Sequence, residues 1–146
     1  MKSFMKTISV FLLAMILGMG VVYSQCKGFT KKECVPQIKP FTYNGQLNMA
    51  VLNPGDVAEL VVTFYKGQDY RLFVCSQENL GRIEFKLLNY ERNTLFYNKD
   101  HDYVNYWDFH SNATQQLIIQ VRVPQIEEEL AVSASGCVSI LIGFKE

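Results

Sequence analysis

From Phe41 to the carboxyl end, apolar and polar residues alternate with a period of two, and turn-forming residues interrupt the pattern at short, even intervals. Eight runs read as strands: "QLNMAVL" (46–52), "VAELVVTFY" (57–65), "YRLFVCS" (70–76), "RIEFKLL" (82–88), "TLFY" (94–97), "YVNYWDF" (103–109), "QLIIQVRV" (116–123) and "CVSILIGF" (137–144). Ala58, Leu60, Val62 and Phe64 share one face of the second run, and Tyr70, Leu72 and Val74 share one face of the third. Ile83, Phe85 and Leu87 oppose Arg82, Glu84 and Lys86, the cleanest alternation in the chain. Leu117, Ile119, Val121 and Val123, then Val138, Ile140, Ile142 and Phe144, complete the apolar set. "NPGD" at 53–56, "KGQD" at 66–69 and "NYERN" at 89–93 carry the residues that turns demand.

Short antiparallel strands rich in β-branched and aromatic residues predict an all-β domain, an antiparallel β-sandwich of jelly-roll type with about eight strands. A small closed barrel is the alternative. The one helix candidate, "QIEEELAV" (125–132), is short and carries three consecutive glutamates, as a solvated connector does.

The amino terminus changes the picture of where this domain works. Lys2 and Lys6 precede an uncharged, largely apolar run from Ile8 to Tyr23, with Val22 and Ser24 small enough for a signal peptidase. The run is short of the roughly 20 residues a membrane helix needs. Residues 1–24 are therefore expected to be a signal peptide, 25–40 a disulfide-stapled lead-in without regular structure, and 41–146 the sandwich. An exported chain with no membrane insertion after cleavage, placed in the periplasm or beyond, follows.

Charge narrows the partners. The chain has 14 basic and 14 acidic side chains, and loss of Lys2 and Lys6 tips it slightly acidic. Nothing drives it to nucleic acid or to anionic lipid. Cys26, Cys34, Cys75 and Cys137 all follow the signal, and an even count in an exported chain reads as disulfides. Three pairings exist. The expected one is Cys26–Cys34, closing a short loop, with Cys75–Cys137 joining two strands. Zinc is disfavoured because no cysteine pair has ligand spacing and neither histidine is near one.

Candidate chemistry concentrates in "KDHDYVNYWDFH" (99–110), with both histidines and the only tryptophan. On a strand, Tyr103, Asn105, Trp107 and Phe109 face the core, while Tyr106, Asp108 and His110 face outward as a candidate ligand surface. Asn98, Asp100 and Asp102 are the candidate calcium set, since hard cations take oxygens at such spacing. An EF-hand loop fails there: Tyr103 stands where glycine belongs and Phe109 where glutamate belongs. A hydrated turn, with His101 in solvent, is the favoured reading. No G-x-S-x-G nucleophile elbow occurs, and outward acids such as Glu59 and Glu84 read as solubilising.

The stretch from "GDVAELVVTFYKGQDYRLFVCSQ" through "WDF" to "GCVSILIGF" resembles small exported Bacteroidetes-type β-sandwich proteins of unassigned function. More loosely, "VVTFYKGQDYRLFV" and "GCVSILIGF" resemble the pre-peptidase carboxy-terminal type of domain. That second resemblance implies a non-catalytic jelly-roll-like module that accompanies secreted enzymes.

The sequence thus predicts a non-catalytic, secreted or envelope-associated binding module, with no resident cofactor and a protein or glycan partner. One alternative is a calcium-dependent glycan-binding or hydrolase domain built on Asp100, Asp102, Asp108 and His110. The other is a structural subunit of a larger envelope assembly, docked through exposed Leu88, Ile118 and Leu141.

Overall fold

A computed structural model describes residues 24–125 and 135–145. It contains nine strands in two antiparallel sheets facing each other. The first sheet holds β1 (Thr42–Tyr43), β2 (Asn48–Leu52), β4 (Asp69–Ser76), β7 (Tyr106–His110) and β9 (Gly136–Phe144). Its order is β1-β9-β4-β7, with β2 also on β9, so β1 and β2 follow one another along the same edge. The second sheet holds β3 (Val57–Phe64), β5 (Glu84–Leu88), β6 (Thr94–Tyr97) and β8 (Gln115–Arg122), in the order β3-β8-β5-β6. β2 and β3 belong to different sheets, which makes the molecule a sandwich and not a closed barrel. All eight predicted strands are present within a few residues of their expected bounds. The ninth, β1, has only two residues, too few to show a period.

The predicted inward faces meet between the sheets. Phe64, Leu72, Phe85, Leu87, Leu117, Ile119, Val121 and Val123 are all but fully buried there. Phe64 is packed edge-on by Tyr70 and Phe109, at ring distances of 4.8 and 5.1 Å. Such pairs add modest directional energy to burial. Turn chemistry falls where expected: Asp56 accepts the Asn53 backbone N–H at 2.7 Å, and Gly55 takes the positive φ that the turn requires.

Three expectations are corrected. The lead-in is regular: residues 24–29 are α-helical, and a π-helical turn (Thr30–Cys34) and a 3₁₀ turn (Val35–Ile38) continue it. Its apolar positions pack on the outer face of the first sheet, where Cys34, Ile38 and Phe41 form a second core with Phe73, Cys75 and Leu141. The fit is close, for a Cβ on Gly143 would lie 2.8 Å from that of Phe41. The disulfides differ in the same sense. They join Cys26 to Cys137 and Cys34 to Cys75, so each ties the lead-in to a strand, and neither closes a loop within it. Finally, Leu88, Ile118 and Leu141 are buried (4 %, 7 % and 0 % exposed), so they form no docking patch. The helix candidate at 125–132 lies, beyond Gln125, outside the described residues.

Candidate functional site

The turn after β6 organises the loop that sequence patterning singled out. Asn98 begins a 3₁₀ turn (Asn98–His101), and its side chain is buried. Its Oδ1 accepts the Phe85 backbone N–H at 2.8 Å, and its Nδ2 donates to the carbonyls of Ile83 (3.0 Å) and Val104 (3.1 Å). The amide therefore satisfies three backbone groups that strand pairing leaves over. Of the calcium candidates, Asn98 is buried with its oxygen engaged by the backbone, while Asp100 and Asp102 are exposed. Among the described residues, no three His, Cys, Asp or Glu side chains gather as metal ligands would. His101 is not merely solvated. Its ring stacks on Phe96 at 4.9 Å, beside Trp107, which itself stacks on Phe96 at 4.1 Å. Trp107 packs against the main core, as the strand reading expected.

On β7 the outward residues alternate as predicted, but each answers to β4. Arg71 lies opposite Asp108 and binds it through two 2.7 Å contacts. The same guanidinium donates to the Lys39 carbonyl at 3.0 Å and sits 4.6 and 4.5 Å from the Phe41 and Tyr106 rings. Asp108 raises the Arg71 pKa above its ordinary value. His110 lies opposite Asp69, Nδ1 to Oδ1 at 2.7 Å. Asp108 and His110 are thus engaged across the ladder, each with its own β4 partner. Tyr106 is 44 % exposed but serves as one side of the Arg71 stack. Sequence reasoning did not single out Arg71, because its partner is set by strand register.

The outer face of the second sheet carries two further acids, Glu59 and Glu84. Glu59 accepts from Arg92 and, at 2.7 Å, from Gln120, and those hydrogen bonds lower its pKa. Glu84 accepts from the Tyr97 hydroxyl at 2.9 Å, with Lys99 at 3.7 Å. Partial burial, then the hydrogen bond to Glu84, pushes the Tyr97 phenol up to about 12. A phenol whose pKa is raised on folding stabilises the fold below its unfolded value near 10, and that contribution is lost as pH rises through 12. Burial also raises the Tyr43 phenol, so ultraviolet titration should show two late-ionising tyrosines, and Tyr97→Phe should remove the one near 12. An unchanged late titration in that variant would refute the assignment.

A cleft opens where the sheets part, between the edge formed by β1 and β2 and the edge formed by β3. Its main chamber has a volume of about 970 Å³. A narrower extension of about 310 Å³ runs along β2 and shares Leu47, Asn48 and Leu60 with it. Core residues such as Leu60, Ile142 and Phe144 form the floor, and Asn44, Gln46, Asn48, Gln68 and Tyr65 bring polar groups to it. Every side chain lining the main chamber is uncharged. The Asn44 Oδ1 holds the turn by accepting the Gln46 backbone N–H at 3.0 Å, and Tyr43 donates to the Gln46 carbonyl at 2.6 Å. The Gln46 side chain is thereby presented on an anchored backbone. No sequence motif marks this cleft, because it exists only where two edges fail to meet.

No protein-family model matches the sequence, and no curated protein matches it. Ten chains of known structure are similar, among them the following three. Aeromonas hydrophila PliG, a periplasmic inhibitor of g-type lysozyme, shares 14 % identity over 73 % of this chain and 90 % of its own, with a TM-score of 0.49. Its Salmonella Typhimurium counterpart shares 13 % over 68 % and 90 %, at 0.41. The CBM36-1 domain of a multidomain xylanase from the hindgut metagenome of Trinervitermes trinervoides shares 12 % over 75 % and 93 %, at 0.32. None of these likenesses assigns a ligand to this chain.

Proposed function

We propose that this protein is an exported, non-catalytic binding module that takes a neutral glycan segment in the cleft between its sheets. The single observation behind this reading is the lining of the main chamber, which is roomy, wholly uncharged and rich in side-chain amides. Amides donate and accept together, as sugar hydroxyls do, and the Tyr65 ring at the rim offers an apolar face for a sugar ring. Concave sites with a few placed polar groups on an apolar floor are the usual form of ligand pockets. The acids fit the same reading: Glu59, Asp108 and Asp69 each face a cation or imidazole, committed to architecture. Two disulfides support an oxidising compartment for the folded chain. Among the described residues, no helix is long and apolar enough to cross a membrane.

Calorimetry against a panel of neutral envelope and plant oligosaccharides tests the reading. Gln46→Ala and Asn48→Ala should each weaken binding about fivefold, the worth of one hydrogen bond, and leave melting almost unchanged. Binding to a protein partner that ignores both substitutions would overturn the glycan assignment.

A further inference from the structure

The four ends of the two sheets are not alike. β7 is short and carries Asp108 and His110 outward. β6 has four residues, and its register with β5 breaks at Leu87/Leu88. β1 and β2 are two and five residues long. These are the devices by which natural sheets protect an edge from pairing with another chain. β3 is neither short nor broken, and its one outward charge, Glu59, is held by Arg92 and Gln120. The strand is eight residues long, all eight pair with β8 in unbroken register, and among the described residues no strand pairs with its other side.

The outward side chains along β3 add a second, independent feature. Val57, Val61 and Tyr65 are 53 %, 55 % and 63 % exposed, and the outward positions between them are Glu59 and Thr63. The set is symmetric about Val61: apolar at four residues either side, polar at two. An antiparallel pair of β3 with itself, centred on Val61, sets Val61 against Val61, Val57 against Tyr65, and Glu59 against Thr63. No like charges meet, and the exposed apolar residues cover one another. Backbone groups agree with this register. Val123 donates to the Asp56 carbonyl at 3.0 Å. In the β3–β8 ladder, therefore, even-numbered residues turn their N–H and C=O toward β8, and Val57, Glu59, Val61 and Thr63 turn theirs to the free side.

We propose that a second copy of this chain pairs with the β3 edge about a two-fold axis at Val61, joining the second sheets of the two copies into one of eight strands. Such an isologous, self-complementary contact is the commonest basis of homodimers. The pairing goes beyond the glycan reading and does not depend on it: Val61, Thr63 and Tyr65 also line one side of the cleft, but the amides of residues 44–48 belong to the other sheet's edge.

Sedimentation velocity on the oxidised, exported chain should show a concentration-dependent dimer with little salt dependence. Val61→Lys sets two charges on the axis and should weaken dimerisation about 100-fold or more, leaving the monomer folded because position 61 is exposed. Val61→Cys supplies the register test. Opposed Cα atoms in such a pair lie about 5.5 Å apart, within disulfide range. That variant should cross-link to itself through residue 61, as peptide mapping will show. Val57→Cys should not, because its copies lie about 27 Å apart along the strands. Monomer at every concentration, a dimer that survives Val61→Lys, or equal cross-linking of both cysteine variants would each overturn the proposal. So would a monomer whose β3 edge captures an extended peptide.

Discussion

Replacing Cys34 and Cys75 by alanine is expected to destabilise the protein by about 4 kcal/mol, and replacing Cys26 and Cys137 by about 5 kcal/mol. The bridges span 41 and 111 residues of sequence, and loop entropy grows slowly with span, so the two figures are close. For a domain of this size either loss should lower the melting temperature by roughly 15–25 °C. The two will not add, because the 34–75 loop lies inside the 26–137 loop. Both variants should also loosen the lead-in from the outer face of the first sheet, uncovering Phe73 and Leu141. A hydrophobic dye should therefore bind the folded variants and not the parent. Peptide mapping of unreduced protein decides the connectivity directly: recovery of a 26–34 peptide pair would refute the arrangement.

The second large effect belongs to Asn98. Asn98→Ala orphans the Phe85 N–H and the carbonyls of Ile83 and Val104 in a buried site, and should cost about 3 kcal/mol. Asn98→Asp keeps the acceptor, loses both donations and faces two carbonyls with a charge. Burial raises the pKa of such a carboxyl in the folded state. Its deficit should therefore be smallest at acid pH, where it is protonated, and should grow as pH rises above the ordinary aspartate value. Chemical denaturation at pH 4 and pH 7 measures both. Calcium tests the rival role of this residue, since an ion bound only by the folded state must raise the melting temperature. A calcium-dependent rise in the parent, lost in Asn98→Ala, would restore the metal reading.

Much of the fold was legible beforehand, for a definite reason. In "RIEFKLL" and "QLIIQVRV" alternate side chains leave a strand on opposite sides, so composition along the chain reports which side is wet. β4 and β9 carried a further signal that simple alternation hides. "LFVC" and "CVSILI" are apolar at both parities, which marks strands covered on both faces. Read that way, Leu141 belongs to a second core, and something must cover the outer face. The lead-in covers it with Ile38 and Phe41, although its prolines and lysines resemble those of a loop.

The sequence by itself determined eight of the nine described strands, an inward face for most of them, the cysteines' oxidised state and the core position of Trp107, because all of these depend on neighbours in the chain or on composition; it misplaced Leu88, Ile118 and Leu141, which are buried, and Asn105, which is exposed. Which cysteine meets which, that Arg71 holds Asp108, that Asn98 serves the backbone, and where two edges part to leave a cleft were decided only by the tertiary structure. Those depend on the order of strands within sheets and on register across them, and neither leaves a local trace in the order of residues.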